Sequence, residues 1–300
     1  MEKVKLAHDL SFSRIIHGLW RLAEWNMNPQ EIVAMTEQCI ELGITTFDHA
    51  DIYGDYTCES LFGEALKLKP SLRESIQIVT KCGIKLRSSK YPEHEVKHYD
   101  TSKEHIIKSV NQSLKNLQTD YIDVLLIHRP DPFMDPEETA EAFSQLKREG
   151  KVRHFGVSNF TPSQFNMLNS YLEEPLVTNQ VEISAVHLDA FHDGTIDQCL
   201  EKRIPPMAWS PLAGGRIFTS EGEKIERVRH VLEEVGKELG VRSPDQLLYA
   251  WLLIHPARIM PIVGSGKMER IKHAVKAMEI QMTRQQWFKI WIASIGQDVA

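Results

Sequence analysis

Short apolar runs alternate along the chain with longer stretches in which apolar residues recur every three or four positions. The short runs are rich in β-branched residues and predict buried strands, whereas the longer periodicity predicts amphipathic helices. The predicted strands cover residues 14–16, 44–47, 75–81, 121–127, 152–157, 176–181, 206–209 and 259–263. Residues 3–6 are expected to pair with residues 14–16 in an N-terminal β-hairpin.

Helix signals fill the gaps between these strands. Asn28, Pro29 and Glu31 form the capping pattern that opens the first helix, and Gly43 can close it. A polar loop at residues 86–99 is the segment most suited to be mobile and to face a substrate. Further helices are predicted at residues 58–67, 101–117, 136–149, 195–203, 222–239, 243–255, 267–277 and 283–293, and one more begins at residue 162.

Eight strand–helix units without a linker or a low-complexity tract predict an α/β protein with a closed (β/α)8 TIM barrel. The barrel is expected to form a single domain over residues 1–300, with an N-terminal hairpin and extra helices near the C-terminus. A doubly wound sheet is the main alternative, but no Gly-x-Gly-x-x-Gly follows an early strand. In a barrel, functional side chains lie at the C-terminal ends of the strands.

Composition narrows the class of protein. A net charge of −6 and a pI near 6.1 exclude the basic surface that nucleic acids or anionic membranes require. The longest apolar runs, such as residues 249–254, are too short to span a bilayer, and the N-terminus lacks a signal-peptide core. We therefore predict a cytoplasmic protein with no nucleic-acid or membrane partner. The four cysteines are scattered and are expected to be reduced and buried.

Polar side chains cluster where the predicted strands end. Asp48 and Tyr53 follow the strand at residues 44–47, Lys81 ends the next strand, and His128 follows the one after it. A lysine ammonium beside a phenol favours the phenolate, so Lys81 is expected to lower the pKa of Tyr53 while Asp48 keeps Lys81 protonated. His128 can donate a hydrogen bond to a substrate oxygen. This set suits proton donation to a carbonyl that receives a hydride.

Other interpretations of these residues stay open. Asp48 and Lys81 can form a structural ion pair, and His128 can be an ordinary core histidine. Carboxylates and imidazoles at a barrel rim, including His49 and Asp51, also suit a metal-dependent hydrolase. The chain lacks a His-x-His pair or another dense ligand cluster, so no metal is expected. His49 and Asp51 are instead expected to shape or cap the loop.

Sequence motifs carry a resemblance to a known family. Seven segments resemble, in order, the signature blocks of the aldo-keto reductase superfamily: FDHADIYG, IVTKCG, DVLLIHRPD, VRHFGVSNF, TNQVEIS, AWSPL and PIVGSGKMERI. Their residues are also similar to those of the superfamily's bacterial YdhF-type branch of oxidoreductases. The resemblance implies a (β/α)8 barrel that binds NADPH and uses Asp48, Tyr53, Lys81 and His128 as a catalytic tetrad.

The resemblance also implies a cofactor site. Ser158, Asn159 and Gln180 would hold the nicotinamide carboxamide, and Trp209 would stack on the nicotinamide ring. The chain departs from the family pattern at Val263 or Gly264, His273 and Ala274, so NADH stays open beside NADPH. The pyrophosphate would be bound by Ser210, Pro211, Leu212 and Gly214. The 2′-phosphate would be bound by Gly264, Ser265, Gly266, Lys267 and Arg270.

The functional prediction is an NADPH-dependent oxidoreductase that reduces an aldehyde or ketone, with Tyr53 as the proton donor. A cofactor-binding barrel that senses redox state with little turnover is the alternative. Trp20, Trp25 and Met27 are candidates for an apolar substrate pocket. The expected partner is a small carbonyl compound, and the expected oligomeric state is a monomer. The segments expected to select the substrate are residues 20–27, residues 86–99 and the C-terminal tail, and they contain no recognition motif that identifies it.

Overall fold

The computed structural model describes residues 1–300 and contains a closed barrel of eight strands. The barrel confirms the predicted (β/α)8 fold. Around the barrel, the strands follow one another in chain order. They are Ile16–Gly18, Thr46–Asp48, Gln77–Cys82, Ile122–Ile127, Val152–Ser158, Asn179–Glu182, Met207–Trp209 and Met260–Val263.

The chain divides into two compact units. The first comprises Met1–Gln180 with Gly264–Gly266, and the second comprises Val181–Val263 with Lys267–Ala300. The prediction that residues 1–300 form one domain stays a prediction.

The N-terminal hairpin of the first unit is present, but its second arm is not where the sequence predicted it. Lys3–Lys5 pairs antiparallel with Ser11–Ser13, and Val4 lies opposite Phe12. Both of these side chains are fully buried, so the one apolar pair fixes the register. The chain then continues into Ile16–Gly18, which belongs to the barrel.

Parallel pairing brings the polar strand ends to the same edge of the sheet. Asp48 is paired with Val79, and Lys81 is paired with Leu126. Asp48 is the last residue of its strand, and the chain after it turns toward the neighbouring strand, where the N–H of His49 donates to the carbonyl of Val79 over 2.8 Å. The carboxylate of Asp48 and the ammonium of Lys81 thereby reach the same region.

The helices of the first unit confirm most of the predicted caps. Asn28 and Glu31 form a reciprocal capping box on Pro29–Glu41, and Gly43 follows with φ of 85°. Ser102 caps the helix that was predicted to begin at Thr101. The helices are Pro29–Glu41, Tyr53–Tyr56, Cys58–Leu68, Leu72–Ser75, Lys103–Leu117, Pro136–Arg148 and Pro162–Asn169.

The segment at residues 86–99 is largely the polar loop that the sequence predicted. Its flanks pair as a small antiparallel sheet of Ile84–Lys85 with His98–Tyr99. Within it, the rings of Tyr91 and His94 stack with centroids 5.2 Å apart, and His94 Nδ1 lies 2.9 Å from the carbonyl of Leu86. Residues 86–97 form no helix or strand, so the predicted loop is present, and only its last two residues, His98–Tyr99, belong to a paired strand. Its substrate-facing role stays a prediction.

The second unit contains the predicted extra helices of the C-terminal region. Within it, the indoles of Trp251 and Trp287 stack 5.0 Å apart, and each N–H donates to the other residue's carbonyl. None of the protein's helices is long and apolar enough to cross a membrane. The unit's helices are Asp189–His192, Thr195–Lys202, Arg216–Thr219, Glu223–Leu239, Pro244–Leu253, Met268–Lys276 and Arg284–Ile295.

Candidate active site

Lys81 is the centre of the polar cluster. Its side chain is fully buried, and Nζ donates to both carboxylate oxygens of Asp48 over 2.8 Å. It also donates to the carbonyl of His49 over 2.7 Å and to the phenolic oxygen of Tyr53 over 3.0 Å. Burial alone would lower the pKa of Lys81, but Asp48 and then Tyr53 outweigh it and raise that pKa. The predicted Asp48–Lys81 ion pair is therefore present, and the lysine is charged.

Tyr53 lies beside this charge, half-buried, at the start of the short helix Tyr53–Tyr56. Its pKa is raised by burial, with Lys81 opposing the shift and the charge of Asp48 adding to it. The prediction that Lys81 brings the pKa of Tyr53 below its ordinary value is therefore wrong for this structure, because desolvation outweighs the ammonium. The phenol keeps its proton. Since its oxygen accepts a hydrogen bond from Lys81, its O–H is directed elsewhere.

A left-handed turn follows Tyr53 and was not predicted from the sequence. Gly54, Asp55 and Tyr56 have φ of 58°, 52° and 63°. A side chain at Gly54 would meet Cys58 Sγ and Thr57 Oγ1 at 2.7 Å. Such a run costs about 1–3 kcal/mol for each non-glycine residue and persists only where the surroundings fix it. The single sequence signal was Gly54.

His128 follows the strand Ile122–Ile127, and its backbone N–H donates to the carbonyl of Cys82 over 2.9 Å. Its imidazole meets the ring of Tyr53 edge to face, with centroids 5.9 Å apart. Burial, together with the charges of Lys81, Arg129 and Lys97, lowers the pKa of His128 well below 6.5. Its buried Nδ1 has no hydrogen-bond partner. The ring is therefore neutral and has one N–H to donate.

We expect the imidazole of His128 to stay neutral across the physiological range. Because its folded pKa is lowered, its contribution to stability is complete above pH 6.5 and is lost as the pH falls toward the folded value. The test is a two-dimensional NMR titration of imidazole resonances, assigned with His128→Gln. The His128 signals should not move between about pH 6 and 8, whereas in urea they should titrate near 6.5. A folded-state midpoint near 6.5 would contradict the neutral assignment.

Ser158 and Asn159 lie at the end of the next strand, Gln180 lies within the strand after it, and hydrogen bonds join these residues to one another and to Asp48. The Ser158 hydroxyl donates to the carbonyl of Gln180 over 2.9 Å, and Asn159 Nδ2 donates to Ser158 Oγ over 2.8 Å. Gln180 Nε2 donates to Asp48 Oδ1 over 2.8 Å, a link of 132 positions in sequence. No sequence pattern predicted this link. It adds a hydrogen bond that holds the carboxylate in place.

His49 and Asp51 take no direct part in this cluster of hydrogen-bonding side chains. The His49 ring is fully buried without hydrogen-bond partners and lies 4.7 Å from the ring of Phe62, and burial lowers its pKa to about 3. Asp51 accepts a hydrogen bond from Ser109 over 2.9 Å, and burial, followed by the charge of Glu59, raises its pKa to about 8. His49 and Asp51 thus contact the helices Cys58–Leu68 and Lys103–Leu117, and their expected role in shaping or capping the loop stays a prediction.

The remaining predicted site residues lie partly in the first unit and partly in the second. In the first unit, Trp20 is 56% exposed, Met27 is half-buried, and Trp25 packs against Gly266. In the second unit, Trp209 ends a strand, and Ser210 follows with φ of 49°. Lys267 is the N-cap of Met268–Lys276, whose first turn contains Arg270. Pro211, Leu212 and Gly214 lie between Ser210 and the helix Arg216–Thr219. The roles assigned to these residues stay predictions.

No group of three or more His, Cys, Asp and Glu side chains in the protein could hold a metal ion. Asp48 is already committed to Lys81 and Gln180, and the His49 ring lies against Phe62. The carboxylates and imidazoles that suggested a metal-dependent hydrolase are Asp48, His49, Asp51 and His128. They therefore do not form a set of metal ligands.

Comparisons with known proteins identify the family of the chain. The Aldo/keto reductase family model matches residues 14–294. The chain is 54% identical over 288 residues to Oxidoreductase YdhF of Escherichia coli (strain K12), covering 96% of this chain and 95% of that protein. It is 44% identical over 301 residues to a 6-dehydroglucose reductase of Agrobacterium fabrum, covering 100% of both.

A solved structure gives the same result. The crystal structure of the thermostable aldo-keto reductase Tm1743, in complex with the inhibitor epalrestat, matches with a TM-score of 0.82 and 28% identity. The match covers 98% of this chain and 100% of that one. The chain therefore belongs to the Aldo/keto reductase family and is an oxidoreductase of its YdhF-like branch.

Proposed function

We propose that the protein is an NADPH-dependent reductase that converts an aldehyde or ketone into an alcohol. The observation that carries the proposal is the hydrogen bond from Lys81 Nζ to the Tyr53 oxygen, 3.0 Å long, with Lys81 held by Asp48. It leaves the phenolic proton available for a substrate oxygen and stabilises the phenolate that remains after transfer.

The residues of the first unit also fit a nicotinamide. Ser158, Asn159 and Gln180 supply hydroxyl and amide groups, which match the donors and acceptors of a carboxamide. When bound, the cofactor supplies a hydride from C4 of its nicotinamide ring. Ser158 and Asn159 would orient the carboxamide, and therefore the ring, relative to Tyr53.

In the proposed reaction, Tyr53 and neutral His128 bind the carbonyl oxygen of the substrate. His128 donates a hydrogen bond that polarises the carbonyl, and Tyr53 transfers its proton to the oxygen as negative charge develops there. Lys81 then stabilises the tyrosinate until a proton returns from solvent. Oxidation of an alcohol would use the same groups in reverse.

The test of the reaction class is a panel of aldehydes, ketones and quinones, assayed with NADPH and then with NADH. The panel should include 6-dehydroglucose, because a relative with 44% identity bears the name of a reductase of that compound. We expect faster reduction with NADPH for at least one carbonyl. Tight NADPH binding without turnover of any carbonyl would instead favour the redox-sensing alternative.

In the second unit, we propose Lys267 and Arg270 as the partners of the cofactor's 2′-phosphate. Lys267 is the N-cap residue of Met268–Lys276 and makes no side-chain cap hydrogen bond, and the helix dipole at this end favours an anion. Lys267→Ala should raise KM for NADPH by roughly tenfold, as expected when one charged hydrogen bond is lost. KM for NADH should change little. Exposed Lys272→Ala, on the same helix, is the matched control. Equal losses with both cofactors would contradict the assignment.

A further inference from the structure

The turn at residues 264–266 is held by a buried histidine. His17 is fully buried, and its Nε2 lies 3.0 Å from the carbonyl oxygen of Ser265. A carbonyl oxygen only accepts, so Nε2 carries the proton and donates. The other ring nitrogen, Nδ1, then faces Cys39 Sγ at 3.9 Å and accepts from the thiol. These contacts fix one neutral tautomer of His17 and attach the turn to the first barrel strand.

Trp25 covers the same turn from another side. Its ring stacks on His17 with centroids 5.8 Å apart and an interplanar angle of 18°. A Cβ placed on Gly266 would lie 2.7 Å from Trp25 Cδ2 and 2.9 Å from Cγ, closer than real contacts allow. The φ of Gly266 is not in the left-handed region, so its backbone does not demand glycine. The indole is what excludes a side chain there.

We propose that His17 and Trp25 are positioning residues that fix the Ser265–Gly266 turn for binding the cofactor's phosphate. The inference rests on the proposed function, because it takes residues 264–266 as part of the NADPH site. Each residue restrains one element of the turn: His17 holds the carbonyl of Ser265, and Trp25 holds the Cα of Gly266. A turn fixed before binding loses less conformational entropy when the anion arrives. Trp25 then contributes to cofactor affinity through the position of the turn.

The test is a double-mutant cycle on Trp25 and Gly266. Trp25→Ala, Gly266→Ala and the double variant are titrated calorimetrically with NADP+ and NAD+. Each single change should weaken NADP+ by about fivefold to tenfold, the effect of roughly one lost hydrogen bond. The double variant should bind no more weakly than the weaker single, because without the indole the new methyl group meets no clash. NAD+ should weaken less, and KM for NADPH should rise more than kcat falls.

Conservative variants separate positioning from general stability. Trp25→Phe retains a ring over Gly266, and His17→Gln retains an N–H donor for Ser265, so both should restore most of the affinity that Trp25→Ala and His17→Leu lose. A fall in Tm without a change in the NADP+ to NAD+ affinity ratio would overturn the inference, as would additive effects in the cycle. If the wild-type protein binds neither nucleotide, the proposed function fails and the inference fails with it. If it binds NADP+ but the cycle is additive, only the inference fails.

Discussion

Tyr53→Phe is expected to lower kcat for carbonyl reduction by about 10²–10⁴, the usual contribution of a positioned proton donor. The substitution removes the only proton that the phenol can give and leaves the ring, its edge contact with His128 and its neighbours unchanged. Lys81 keeps its contacts with Asp48 and the His49 carbonyl, so the fold should be retained. Steady-state NADPH oxidation and nucleotide titration measure the two consequences: turnover should fall, while the affinity for NADP+ should stay within about twofold.

Tyr121→Phe is the matched control for this substitution. Tyr121 precedes the strand Ile122–Ile127, and its ring packs against the guanidinium groups of Arg73 and Arg153, each 3.8 Å from the ring centroid. Phenylalanine retains both of these contacts, so the same chemical change here should leave kcat unchanged. Unchanged kcat in Tyr53→Phe as well would show that the substrate oxygen receives its proton from another group.

The fold and the central ion pair of the site could be predicted because both depend on local sequence pattern. Each barrel strand is a short apolar run, and the polar residue that ends the run reaches the rim when the strands pair in parallel. Asp48 ends one strand and Lys81 is the last residue but one of the neighbouring strand, so their contact followed from the pattern once the barrel was assumed.

The remaining features depend on distance in space or on burial, and the sequence shows neither directly. The hydrogen bond from Gln180 to Asp48 joins residues 132 positions apart. The pKa of Tyr53 is decided by how much water the fold excludes, and that desolvation outweighs the neighbouring ammonium. The packing of Trp25 on Gly266 needs the three-dimensional path of the early loop. The assignment of Trp25 to the substrate pocket came from residue type alone and stays a prediction.

Asp48→Asn is expected to cost about 3–5 kcal/mol of folding free energy near pH 7, the usual penalty for leaving one partner of a buried ion pair uncompensated. Lys81 would retain only the His49 carbonyl and the Tyr53 oxygen as strong acceptors, with an amide oxygen in place of the carboxylate. Burial would then lower the pKa of Lys81, which Asp48 now helps to raise. A lysine that gives up its charge no longer stabilises the tyrosinate, so kcat should also fall.

The pH dependence of this loss distinguishes a buried lysine from a general packing defect. In the wild-type protein the raised pKa of Lys81 stabilises the fold below its unfolded value, and this contribution is lost only as the pH rises through the folded value. In Asp48→Asn the folded pKa is lowered, so the unfolded chain binds more protons and stability rises with pH. The difference in unfolding free energy between the two proteins, measured with urea, should therefore be smaller near pH 9.5 than near pH 7.

Asp123→Asn is the matched control for both the stability and the activity effects of Asp48→Asn. Asp123 is equally buried, at 3% exposure, but its carboxylate pairs with Arg73 at 2.7 Å. A guanidinium keeps its proton throughout this pH range, so the free-energy loss in Asp123→Asn should be the same near pH 7 and pH 9.5. Its kcat should match that of the wild-type protein. If the Asp48→Asn loss were equally independent of pH, Lys81 would not be the group whose charge the carboxylate maintains, and the proposed support of Tyr53 by a charged lysine would have to be abandoned.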